Sequence, residues 1–311
     1  MSARITTKSS KESFLMHRID RSFRTVVVAA ALAASCLAHA ADVAVEHFAY
    51  GSTPNLAGAN GGTGWGGPWF KLSSIPTGNT SDGMTWPGLA SSGGSAFTAA
   101  YPSADYTRYS RVIAPYASPN DVVYISFLFR PNAGFGVGGG LAFGTWENGM
   151  IVGLVPGTGR YGLSGFQGPG MTSDVLAAAG TTVFLVARVE KNGDGTITWS
   201  LHVDPIVGAP EPFVDDATMT IPGTALPQAI VLYNDGGYST DEIRVATTWN
   251  EALGLPPACT ADLDGDGVVA GSDLAALLGQ WGGAGTADLT GDGLVDAGDL
   301  AVLLGAWGGC G

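Results

Sequence analysis

Positive charge is scarce in this chain: 14 Lys and Arg stand against 27 Asp and Glu in 311 residues. That balance excludes the basic surface that nucleic acid or an anionic membrane requires. It suits divalent cations instead. Charged residues of both signs reach only 13 %, while glycine occurs 48 times. The pair of values points to turn-rich β structure rather than helices. Hydrophobic content of 45 % supplies a core, so the glycine does not mean disorder. Cysteine is limited to Cys36, Cys259 and Cys310. No apolar run is long enough to cross a bilayer, since Val26 to Leu37 falls well short.

That short run belongs to an expected leader over residues 1–40. Arg18, Arg21 and Arg24 precede it, and Ala38-His39-Ala40 forms a small-x-small cleavage site near Ala40. Met16 is an alternative start that gives a leader of ordinary length. Ala33 stands where a lipid-attachment motif wants Leu, which argues against lipidation at Cys36. The mature protein is therefore expected to be exported, without a transmembrane segment. Removing 1–40 leaves eight basic and 25 acidic residues, a formal charge of −17. Cys259 and Cys310 remain, in an oxidising compartment that favours a disulfide between them.

What is present in excess is one segment written twice. ADLDGDGVVAGSDLAALLGQWG (261–282) and ADLTGDGLVDAGDLAVLLGAWG (287–308) match at 15 of 22 positions. Calcium takes six to eight oxygens, and a twelve-residue loop offers them from positions 1, 3, 5, 7, 9 and 12. In the first copy these are Asp262, Asp264, Asp266, the Val268 carbonyl and Asp273, with Ala270 at position 9. In the second they are Asp288, Thr290, Asp292, the Leu294 carbonyl, Asp296 and Asp299. Gly267 and Gly293 take the sharp turn at position 6. Val269 and Val295, at position 8, are expected to share a short β contact. Leu274, Leu277, Leu278 and Trp281 then recur at helical spacing, as do Leu300, Leu303, Leu304 and Trp307. Those stripes are expected to bury against each other. Thrombospondin-type calcium repeats share the acidic spacing and lack such helices.

No helix is expected ahead of either loop, so each copy is half of an EF-hand. These features resemble a type I dockerin over about 259–311. The resemblance implies calcium-dependent folding around two ions and docking to a cohesin-like protein or cell-surface receptor. The positions that read the partner in that family are here Gly271-Ser272 and Ala297-Gly298, and only Ser272 matches the usual hydroxyl pattern.

Residues 41–252 read as β structure. Strands are expected at 122–129, 141–146, 150–155, 181–190, 196–204, 228–234 and 242–249, with Lys191–Gly195 as a hairpin loop and Asp194 as its turn residue. Residues 253–258, with Pro256-Pro257, read as a linker. Such spacing argues for an antiparallel two-sheet sandwich. VEHFAYGSTPNLAGANGGTGWGGPW, LVARVEKNGDGTITWSLHVDP and DEIRVATTW resemble exported bacterial domains of the concanavalin A-like, laminin-G-like jelly-roll class. The expected fold is thus a mainly β jelly-roll sandwich followed by a small all-α domain.

Catalytic residues are not evident. The paired-carboxylate strand pattern of jelly-roll glycosidases is absent, and Glu147 is the best lone acid, a turn residue by default. His47 and His202 stand isolated in sequence, and Ser164 does not fit a nucleophile elbow. Trp65, Trp69 and Trp86 either stack on a sugar or pack over the sandwich. The leading expectation is a non-catalytic domain that binds polysaccharide or a surface ligand, tethered by the calcium module. A polysaccharide-degrading hydrolase and a purely structural surface protein are the alternatives.

Overall fold

The structure is a computed structural model that describes residues 43–73, 77–98, 106–118, 120–144, 149–166, 170–255, 259–264, 266 and 268–309. The leader, Glu147, Pro256-Pro257, Gly267 and Cys310 lie outside the described residues. Among the described residues no helix is long and apolar enough to cross a membrane.

Among the described residues thirteen strands form one antiparallel sheet. They are β1 (Ala44–Glu46), β2 (Phe70–Lys71), β3 (Thr77–Thr80), β4 (Ser95–Thr98), β5 (Thr107–Val112), β6 (Val122–Phe143) and β7 (Met150–Leu154). β8 (Arg160–Gly165), β9 (Gly170–Leu176), β10 (Val183–Lys191), β11 (Thr196–Val203), β12 (Ala217–Pro222) and β13 (Ala229–Ala246) follow. The main path runs β12-β11-β10-β6-β13-β4-β3, and β7, β8 and β9 branch from β6.

Two long strands organise this network. The first half of β6 pairs with β10 and its last five residues pair with β7. β13 pairs with β6 along most of its length, with register shifts at Asn234/Gly236, Gly236/Tyr238 and Asp241/Arg244. Such bulges bend a strand. The β10–β11 and β7–β8 branches then face each other: the Phe143 ring meets Trp199 at 5.1 Å, and Phe129 meets Tyr161 at 6.5 Å. One buried cluster from β6, β7, β8, β10, β11 and β13 fills the space between.

The expected strands at 122–129 and 141–146 are therefore one element, as are those at 228–234 and 242–249. Pro131 and the glycines after it read as a turn. They pair instead with the bulged middle of β13, where Pro131 opposes Tyr238 and Phe135 opposes Gly236. The hairpin after β10 is as expected: Asp194 accepts from the backbone and hydroxyl of Thr196.

A second cluster covers the outer face of β6 and β10. Met84, Leu89 and helix α1 (Trp249–Ala252) lie against Tyr124, Leu128, Phe184 and Val186. A capping box starts α1, with the Thr248 hydroxyl and the Glu251 carboxylate each taking the other's backbone N–H. Leu253 and Leu255, at the start of the expected linker, belong to this cluster.

The glycine-rich stretch after β1 has a definite task. Glu46 and Arg111 are fully buried and paired. Arg111 Nε donates to the Gly67 carbonyl, Nη2 to Asn60 Oδ1 and the Gly61 carbonyl, and Nη1 to Glu46 and Tyr50. Trp65 lies over the guanidinium at 4.8 Å. The loop can press this closely because Gly62 and Gly64 have φ of +67° and +75°. A Cβ there would fall 2.1 Å from the Val45 carbonyl and 1.8 Å from the Val43 carbonyl.

The C-terminal segment holds β14 (Val268–Val269), α2 (Gly271–Gly279), α3 (Ala297–Gly305) and β15 (Gly308–Gly309). Its core is Ala261, Val269 and Leu277 with their repeat equivalents Ala287, Val295 and Leu303. Val269 and Val295 do not pair with each other. Val269 opposes Gly308, while Val295 exchanges backbone bonds with Gly282 and Gly283. Each loop is thus completed by the Trp-Gly-Gly segment that follows the other copy's helix.

Replacing Arg111 with Leu leaves the Glu46 carboxylate buried without its counter-charge. The β-domain should lose ~3–5 kcal/mol of stability. Chemical denaturation measures this, and an unchanged midpoint would refute it.

Candidate metal centres and the surface of the β-domain

The last acid of each loop is the anchor of its geometry. Asp273 and Asp299 have no exposed surface. Asp273 Oδ1 accepts the N–H groups of Leu263 at 2.7 Å and Asp264 at 3.2 Å, and Oδ2 accepts that of Ala270 at 2.8 Å. Asp299 repeats the set: Leu289 at 2.7 Å, Thr290 at 2.9 Å and Asp296 at 2.7 Å. The same carboxylate therefore ties the loop's start to its end and satisfies a free N–H at the helix start. The N–H of Ala270 leads in holding the Asp273 carboxyl below its ordinary pKa, against the opposing effect of burial. For Asp299 the N–H of Asp296 leads.

In the first loop one oxygen each of Asp262, Asp264 and Asp273 lie within 4.8 Å of one another. Asp262 and Asp264 share the Asp266 N–H at 3.1 Å, and Asp266 accepts from Val268 N at 2.9 Å. In the second loop Asp288 turns onto its own backbone. It takes the N–H groups of Gly291 at 2.8 Å, Asp292 at 3.2 Å and Gly293 at 2.8 Å, and the Thr290 hydroxyl lies 3.4 Å away. Asp292 accepts from Leu294 N, and Asp296 accepts from Gly298 N at the start of α3. Among the described residues only the first loop brings three such acids this close. The donors in both loops are oxygens, without a His or Cys among them. That chemistry fits a hard cation such as calcium and not a thiolate-seeking metal.

The helices bury less than their spacing predicts. Leu277 and Leu303 are buried, and Leu274 and Leu300 pack partly against the module's core. Leu278 and Leu304 are 52 % and 53 % exposed, and Trp281 and Trp307 are 47 % and 50 % exposed. The helices meet along one narrow line, and the second half of each stripe faces outward. Gly271, Ser272, Ala297 and Gly298 are exposed as well. Cys259 is disulfide-bonded, and β15 brings the chain to Gly309, opposite Val268. Both cysteines available as its partner lie outside the described residues.

On the β-domain Trp65, Trp69 and Trp86 pack rather than stand free. Trp69 is 1 % exposed, stacks on Phe48 and donates to Glu46. Trp65 is half-buried and donates to the Val45 carbonyl. Trp86 is half-buried beside Phe184. The histidines are not isolated. His47 Nδ1 lies 2.8 Å from Glu242, and buried His202 lies 3.6 Å from Glu211 and 3.5 Å from Asp215. Strand pairing and the 204–216 segment create these meetings, which separations in sequence hide. Ser164 is buried on β8.

Two features had no sequence signal. Tyr233 on β13 stacks on Tyr106 at 4.4 Å and meets Phe166 edge-on at 5.3 Å, and all three rings are partly exposed. Asp241 is fully buried and accepts from the N–H groups of Met84 and Glu242. Burial, aided by the nearby Glu242 and Glu46 charges, pushes its pKa up to about 8.

No family model matches this chain, and no curated protein matches it. Solved structures similar to it include the endo-1,3-β-glucanase of Streptomyces sioyaensis, at 9 % identity and a TM-score of 0.43, covering 67 % of this chain and 96 % of that one. The endo-β-1,4-glucuronan lyase of Trichoderma reesei is 12 % identical at a TM-score of 0.37, covering 63 % and 94 %. Domain 4 of an extracellular arabinanase from Geobacillus stearothermophilus, solved with arabinotriose, is 14 % identical at 0.37, covering 69 % and 97 %. The low scores make each a partial likeness of backbone path and nothing more.

A buried acid with a raised pKa keeps its proton in the fold while the unfolded chain loses it. Stability should therefore fall as pH rises from 3.8 towards about 8, and level off above that. An Asp241→Asn variant should flatten this slope in denaturation curves taken across the range. A slope that persists unchanged would show that other groups cause it.

Proposed function

We propose that this is an exported modular protein. Its C-terminal module binds two calcium ions and docks to a cohesin-like or cell-surface receptor, while a two-sheet jelly-roll domain meets a glycan or other surface ligand. The observation that carries the reading is the duplicated cage around Asp273 and Asp299, identical in three backbone bonds per copy. In the first loop Asp262, Asp264, Asp266, the Val268 carbonyl and Asp273 would hold the ion. Asp288, Thr290, Asp292, the Leu294 carbonyl, Asp296 and Asp299 would hold it in the second. Two bound calcium ions would offset half the charge of the eight aspartates in a module without Lys or Arg.

The receptor surface is the exposed set Leu278, Trp281, Leu304 and Trp307, two from each copy. Paired large apolar side chains left in water mark an interface better than scattered ones do. A disulfide from Cys259 to Cys310 closes the module, supported by the return of the chain to Gly309 beside the first loop. On the jelly roll, the half-exposed Tyr233 and Phe166 rings replace the tryptophans as the surface for sugar stacking.

Calcium titration of the full chain should give two sites, and an Asp273→Ala variant one. Chelation should abolish the circular dichroism of α2 and α3 and spare the β signal. Helical signal that survives the chelator would refute the metal reading. Capture of the receptor from cell-surface extract should need calcium and fail for a Leu278→Glu, Leu304→Glu double variant. Capture that ignores both would refute the docking reading alone.

A further inference from the structure

The space between the two branches of the sheet opens at one end into a cavity of about 490 Å³. Its walls are Phe143 and Met150 from the β6–β7 corner, Ile197 and Trp199 from β11, Ile221 from β12, and Leu226. Its rim is the segment from Pro222 to Ala229. We propose that this cavity binds a small, neutral, mostly apolar molecule. The proposal is independent of the calcium module and of the sugar-stacking rings.

Three observations set the ligand's chemistry. Among the described residues that line the cavity none is charged, so an ionic ligand would be desolvated without a counter-charge. Only Thr224 and Gln228 offer polar side chains, and the Gln228 amide is already turned to the Leu226 and Pro227 carbonyls. A glycan, with a hydroxyl on almost every carbon, would lose more hydrogen bonds to water than this wall returns. Trp199 is 3 % exposed and its indole N–H is itself buried out of a ligand's reach, so the wall it adds is apolar.

The site is preformed. Gly223 N bonds the Gly195 carbonyl at 3.0 Å, Ile113 N bonds that of Gln228 at 2.9 Å, and the Tyr116 hydroxyl bonds that of Pro227 at 2.8 Å. Two prolines stiffen the same segment. The rim therefore stays open without a ligand to prop it, and the volume lies in the ~300–1,000 Å³ range of small-molecule sites.

Prodan, a neutral naphthyl ketone whose emission moves to the blue in apolar surroundings, is the probe. The full chain should bind one molecule saturably and quench its own tryptophan emission. Ala225 is exposed on the rim. Ala225→Trp should fill the mouth and weaken binding at least roughly tenfold, with an unchanged melting temperature. Binding should persist in chelator. Absence of saturable binding, equal affinity in Ala225→Trp, or loss of the site on chelation would each overturn the proposal.

Discussion

The β-domain is built around one charged pair that water does not reach. Arg111 and Glu46 have fully buried side chains. Moving either charge out of water costs several kcal/mol, and only close pairing with further hydrogen bonds repays that. The chain meets the demand with backbone. Carbonyls of Gly61 and Gly67 and the side chain of Asn60 surround the guanidinium, while the Phe48 N–H and the Trp69 indole bind the carboxylate. One arginine thereby fixes β1, β2, β5 and the loop between the first two. The glycines that look like flexibility in the sequence are the spacing this cage needs.

Local pattern made the strands legible and left their joins hidden. Alternation located β10, β11 and the hairpin between them almost to the residue. It could not reveal that β6 and β13 continue through proline and glycine, because bulged pairing between two distant strands has no local signature. The short strands β1 to β5 were missed for a related reason. β1, β4 and β5 are held by pairing with β13, β2 by pairing with β5 and β3 by pairing with β4, rather than by apolar alternation of their own.

The turns of the two acidic loops are legible because each is set by a single short segment. Within them Asp273 and Asp299 accept the backbone N–H groups of Ala270 and Asp296 and so cap the helices that follow. Residues whose roles depend on distant partners were not legible. The tryptophans of the glycine-rich loop serve the charged pair, and the third leucine of each module helix and the tryptophan after it face outward. A helical stripe says which residues share a face; the neighbour's reach decides how much of that face is covered.

The crossed pairing of the two Trp-Gly-Gly segments has one more consequence. Val269 depends on Gly308, and Val295 depends on Gly282 and Gly283. Neither repeat is therefore a complete folding unit, since each lends the strand that its twin lacks. Two separate chains, each with one repeat, could exchange the same segments as a symmetric pair. Joining the copies in tandem turns that exchange into an internal one, independent of concentration. The same reciprocity means that loosening one loop is felt first at the helix end of the other.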